Sequence, residues 1–140
     1  MIGCATMSDV SSKSAPVEPQ GELVIRTIAM PADTNPSGDI FGGWLMSQMD
    51  LGAAIYARNL SRSRVTTVAV DGKAFLNPVS VGDIVNCHAS LLKVGRTSMK
   101  IAVEAWVQRG TDGKLLRVTK GVFTYVAIDQ RGRPHKVHRD

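Results

Sequence analysis

The chain has 140 residues, 44% of them hydrophobic and 21% charged, with a formal net charge of +5. That length fits one domain with a real core, which at this apolar content buries more by self-association, and no apolar run reaches membrane-spanning length. The positive charge points to an anionic partner, but scarce aromatics and the lack of a helix-turn-helix or RNP-like pattern rank nucleic acid below a phosphorylated small molecule.

Met1 to Gln20 carries Ser, Pro, Lys and Glu without an apolar core of signal-peptide length, and reads as a flexible leader. The domain follows over 21–130, and 131–140 reads as a basic tail. Cys4 lacks the hydrophobic segment that lipidation requires, Cys87 falls in a predicted strand, and His88 stands apart from His135 and His138. No disulfide framework or metal spacing emerges, so the expected compartment is the cytoplasm and no metal is expected.

In chain order, Glu22 to Met30 is a first short strand. Asn35-Pro36-Ser37-Gly38-Asp39-Ile40-Phe41-Gly42-Gly43-Trp44 is a turn dense in Gly, Asn and Asp that opens a helix. On that helix Met46, Met49, Ala53 and Tyr56 form one apolar row, and Gly52, Ala53, Ala54 and Ala57 make the face thin enough to press on a sheet. Val65 to Val70 is β-branched and runs through Asp71-Gly72-Lys73 to Phe75 and Leu76 before Asn77-Pro78 stops it. Val79-Ser80-Val81-Gly82-Asp83 then turns the chain into a long hairpin, Ile84 to Val94 and Thr97 to Gln108. In its second strand Met99, Ile101, Val103, Ala105 and Val107 alternate with Ser98, Lys100, Glu104 and Gln108. Leu115 to Ile128 is the last strand. One helix and a meander of antiparallel strands imply an α+β layer architecture, the helix covering one face of a curved sheet.

Two features carry chemistry. Gly42 and Gly43 leave the first N–H groups of the helix uncovered at the positive end of its dipole, where a developing oxyanion is stabilised. Asp50 lies beside the apolar row, and a carboxylate near the covered side is expected to have a raised pKa unless something pairs with it. Both have plainer readings: Gly-Gly as an ordinary turn with Asp39 or Ser37 as caps, and Asp50 as a polar-face residue near Ser47 and Arg58.

Several segments in order, Arg26 to Pro31, Asp33 to Asn35, Gly38 to Trp44, Met46 to Asp50 and Val79 to Asp83, make the stretch from about Gly21 to Asp129 resemble the hotdog-fold acyl-CoA thioesterases of the YciA type. The resemblance implies an acyl-CoA substrate and no cofactor. It also implies a dimer, within a trimer of dimers, whose sheets join edge to edge and whose sites lie at the seam between the helices. There Asn35 of one subunit and Asp50 of the other face one thioester, the N–H of Gly42 or Gly43 holds the carbonyl, and Asp50 is general base or nucleophile. Lys93, Gly95, Arg96, Thr97 and Ser98, in the turn between the third and fourth strands, match a segment that contacts pantetheine and phosphates, with Arg64 and Lys136 as further phosphate candidates and Asp71 as a possible orienting acid. Met46 and Met49 are expected along an adaptable acyl tunnel with broad tolerance. A hotdog hydratase is a rival because Asn35-Pro36 with Asp39 resembles an Asn-Pro-x-His-x-Asp signature, but Ser37-Gly38 stands where the histidine belongs. A non-catalytic acyl-CoA-binding protein is the other rival.

Overall fold

The computed structural model describes residues 18–72 and 75–137. Most of the leader with Cys4, together with Lys73, Ala74 and the last three residues including His138, lies outside that set. Seven elements follow one another: β1 (Glu22–Ile28), a 3-10 turn (Pro31–Asp33), α1 (Gly42–Ser61), β2 (Arg64–Gly72), β3 (Ile84–Val94), β4 (Ser98–Gln108) and β5 (Leu115–Ile128). The strands form one antiparallel sheet in the order β1-β3-β4-β5-β2, so β1 and β2, the strands flanking the helix in sequence, become its two edges.

The expected alternation on β4 holds, with Met99, Ile101, Val103, Ala105 and Val107 all buried. On β5 Phe123, Tyr125 and Ala127 face the same side, and Val85, Cys87 and Ala89 of β3 complete a floor for α1. Burial pushes the Cys87 thiol up to about 12, so it stays protonated and inert. The helix presses on this floor through Leu45, Met49, Ala53 and Ala57, a row that shares Met49 and Ala53 with the expected one but has Leu45 and Ala57 at its ends, with Met46 and Tyr56 only half-buried at its margin. Truncating Leu45 or Met49 to alanine is worth about 2–5 kcal/mol of stability. The thin face has the anticipated purpose at Gly52, where a Cβ would stand 2.6 Å from Val24 Cγ2 of β1.

Two polar devices hold the periphery. In the turn before β3, Asp83 is buried at 3% exposure, takes the Ser80 N–H at 2.9 Å and forms a two-pronged ion pair with Arg109, whose Nη2 also bonds the Pro78 carbonyl. At the other end, residues 131–137, read from the sequence as a tail, fold back along β5: the His135 N–H bonds Ala127 O, the Val137 N–H bonds Arg96 O, and Val137 joins the core. The domain's packing therefore runs past residue 130 to at least Val137.

Candidate active site

The loop 34–41 is built around Asn35. Its side-chain oxygen accepts the N–H groups of Ser37 at 2.9 Å and Asp39 at 3.1 Å, while its own backbone N–H bonds Asp39 O at 2.7 Å. Two donors facing one atom fix that atom as the oxygen, so the side-chain NH2 of Asn35, half-buried and without a partner among the described residues, is the group left to act on something else. Asp39 and Ser37 are thus held by the loop and do not cap the helix. Phe41 is the N-cap residue, offers no side-chain bond, and no acidic residue stands in the first turn. The N–H groups of Gly42 and Gly43 accordingly keep their bonding capacity at the positive helix end.

Beside that helix end lies a mostly apolar cavity of about 310 Å³, walled by Ile40, Phe41, Gly42 and Leu45 on one side and by Phe75 to Val79 on the other. Gly42 is required there, because a Cβ would meet Phe75 Cε2 at 2.8 Å, whereas one at Gly43 meets nothing within 4 Å. The cavity does not include Met46 or Met49, of which Met49 is 1% exposed and belongs to the core while Met46 is half-buried; Phe75, Leu76 and Leu45 line it instead.

Asp50 is half-buried on the side of α1 that faces β2 and β5. The Thr67 hydroxyl donates to its Oδ1 at 2.8 Å and the Tyr125 phenol donates to the same oxygen at 2.6 Å, with the Asp50 carbonyl 2.9 Å from that phenol. Burial first, and then the bond to Asp50, pushes the Tyr125 phenol far above its ordinary range, so it remains a donor. Thr67 and Tyr125 are cross-strand partners in the β2–β5 ladder. Sequence reading missed both, since a tyrosine inside an alternating apolar strand and a threonine among β-branched residues look like packing. The signal was a hydroxyl on each of two strands that the topology makes neighbours.

Within one chain these parts do not converge. Asp50 follows Gly42 by eight helical residues, which at the helical rise places it about 12 Å along the axis from the N-terminal amides. The edge strand β2 that supports Thr67 is exposed along most of its length, with Val68 at 54% and Val70 at 41%, and Leu51 and Ile55 of α1 are exposed too.

The remaining candidates are scattered. Arg64 bonds the carbonyls of Asp129 and Gln130 at 3.4 and 3.3 Å, in the turn after β5. Lys93 and Arg96 are exposed in and beside the β3–β4 turn, closed by the Gly95 N–H on Ser98 O at 2.8 Å, and Thr97 O accepts the Ala127 N–H. Gly95 suits this closure because a Cβ there would stand 2.8 Å from Ser98 Oγ. Lys136 is exposed next to the same turn, and Asp71 is exposed near the end of β2, opposite Val122. Among the described residues no group of three His, Cys, Asp or Glu side chains is placed to hold a metal.

The profile of the thioesterase superfamily matches residues 37–114, which span the helix and the first half of the sheet meander. The acyl-CoA thioester hydrolase YciA of Salmonella typhimurium is 55% identical over 119 residues, covering 83% of this chain and 90% of the relative. The chain belongs to the thioesterase superfamily. Its helix-on-sheet architecture is the superfamily's hotdog fold. It is similar to the hexameric thioesterase of Yersinia pestis at a TM-score of 0.83 and 54% identity, covering 88% of this chain and all 100% of that one. A hexameric broad-specificity acyl-coenzyme A thioesterase of known structure is similar at 0.82 and 51%, covering 88% of this chain and 85% of its own.

Proposed function

We propose that this protein hydrolyses acyl-CoA thioesters to coenzyme A and a carboxylic acid, at sites completed by two copies of the chain. The observation that carries the reading is the half-buried Asp50 carboxylate, tied to the sheet through one oxygen beside an exposed edge strand, about 12 Å from the amides it needs as partners. Edge-to-edge pairing of β2 with its symmetry mate would satisfy the open ladder and cover Val68 and Val70. A two-fold operation would then set the Gly42 and Gly43 end of one helix against Asp50 of the other. The hexameric relatives support assembly as a trimer of such dimers.

In this arrangement the thioester carbonyl points at the N–H groups of Gly42 or Gly43, and the Asn35 NH2 orients the carbonyl or the water. Asp50 of the partner copy takes a proton from water as it attacks the carbonyl carbon. The oxyanion forms against the helix amides, and collapse of the tetrahedral species expels the coenzyme A thiolate. Direct attack by Asp50, giving an anhydride that water then opens, uses the same groups. Neither route requires a metal or other cofactor. The apolar cavity at the helix end takes the acyl chain, and its walls of Phe75 and Leu76, 46% and 60% exposed, support tolerance of several chain lengths. Lys93, Arg96 and the amides of the Gly95 to Ser98 turn are assigned to pantetheine and phosphate contacts, with Arg64 and Lys136 as further cations. No described helix is long and apolar enough to cross a membrane, and we assign the enzyme to the cytoplasm.

A hydratase reading finds Ser37-Gly38 where its signature histidine belongs, and the ring of His88 is engaged with the Gly21 carbonyl at 3.1 Å. The test is free-thiol release from acetyl-, decanoyl- and palmitoyl-CoA. Turnover of at least two of the three is expected, and tight acyl-CoA binding without thiol release would replace the enzyme reading with that of a binding protein.

A further inference from the structure

Tyr125 is completely buried towards the C-terminal end of β5, and its ring is stacked on Phe123 with centroids 6.5 Å apart and planes 12° from parallel. A phenol so deeply placed needs a partner. It reaches across to α1, where its single O–H lies 2.6 Å from the Asp50 side-chain Oδ1, the shorter contact, and 2.9 Å from the Asp50 main-chain oxygen. Thr67, its cross-strand neighbour, adds a second donor to the same Oδ1 at 2.8 Å. The other carboxylate oxygen, Oδ2, has no partner among the described residues. The last torsion of an aspartate side chain is otherwise broad and shallow, so two donors on one oxygen decide which oxygen faces away from the sheet.

We propose that Tyr125 is a positioning residue which, with Thr67, fastens Asp50 through Oδ1 so that Oδ2 alone is presented to the reacting water. This inference rests on the thioesterase reading above. The tyrosine touches no substrate; it acts by removing a rotation that would carry the reacting oxygen out of line, an effect that falls on the chemical step and spares binding.

Two tests follow on the full chain. Tyr125→Phe keeps the buried ring and deletes only the hydroxyl, and its kcat is expected to fall about ten- to a hundredfold, with KM for acyl-CoA within about twofold. A kcat per folded protein equal to the parent's overturns the inference. So does a loss as deep as that of Asp50→Ala, because the phenol would then be part of the chemistry itself. Should the variant fail to fold, the chain's two tyrosines allow a second readout. With tyrosine labelled at 13Cζ, one of the two signals must move in Asp50→Ala while that of Tyr56 stays, and two unmoved signals overturn the inference. A parent that releases no thiol removes the thioesterase reading and this inference together. An active parent with an undiminished Tyr125→Phe removes this inference alone.

Discussion

Two aspartates of this chain lie in packed surroundings and are treated in opposite ways. Asp83 has both oxygens occupied, by Arg109 and by the Ser80 N–H, and it joins the turn before β3 to the end of β4. Asp50 is held by two neutral hydroxyls on one oxygen and has no cation within ion-pair distance among the described residues. A carboxylate neutralised by a guanidinium is a poor base and a good staple; one held by hydroxyls on one oxygen keeps the lone pairs of the other for a reaction. The difference separates a structural acid from a reactive one in the same fold.

The largest effect that sharpens this contrast is at Asp50. Asp50→Ala is expected to lower kcat for acyl-CoA hydrolysis at least about a hundredfold while melting temperature and oligomeric state stay near the parent's. Full activity in that variant would break the comparison at its more important end. Asp83→Asn should do the reverse. It removes the charge that Arg109 meets, and because Arg109 is half-exposed the loss of stability is expected at about 1–3 kcal/mol, below the range for a fully buried pair. Activity per folded molecule should change little, as thiol release after denaturant titration would report.

The contrast has a pH signature. Burial acts to raise the pKa of Asp83, but its bonds to Arg109 and Ser80 outweigh that and hold it below 3.8. A carboxyl lowered in the folded state contributes stability that is complete above its unfolded value and is lost as pH falls through the folded one. Denaturant midpoints measured from pH 6 down to pH 2 should therefore drop more steeply for the parent than for Asp83→Asn, and parallel curves would show that the ion pair contributes nothing. The smallest effect is at the rim: Arg96→Ala should raise KM for acyl-CoA about two- to fivefold, and less at high salt, because an exposed cation on a phosphate is screened.

Much of this was legible in the residues. The period-two alternation of Met99 to Val107, the glycine and alanine face of the helix and the Gly42-Gly43 opening each follow from local physics, and each stands where expected. What the sequence concealed depends on distant pairing. Thr67 and Tyr125 are separated by 58 positions and meet only because β2 returns beside β5 at the sheet edge. Leu45 displaced Met46 from the buried row because one residue of helix rotation, about 100°, is below what periodicity resolves in a helix apolar on several sides. Residues 131–137 looked like a solvated tail because their charges outnumber Val137, the side chain that they contribute to the buried core. The docking of Phe75 and Leu76 beside the helix end likewise had no local signal, since it follows from where the chain leaves β2.

Asp50 and the loop bearing Asn35 are proposed to serve the same thioester from different copies of the chain, and mixing two impaired variants separates that arrangement from a one-chain site. Asn35→Asp keeps the oxygen that accepts from Ser37 and Asp39 while deleting the NH2 group, and Asp50→Ala deletes the base. Co-expressed in equal amounts, the two variants assort at random into two-fold pairs. Half the pairs are mixed and each mixed pair has one intact site of two, so about a quarter of the parent's thiol-release rate is expected to return. A mixture no more active than the two variants alone would place both residues in one chain's site and contradict it.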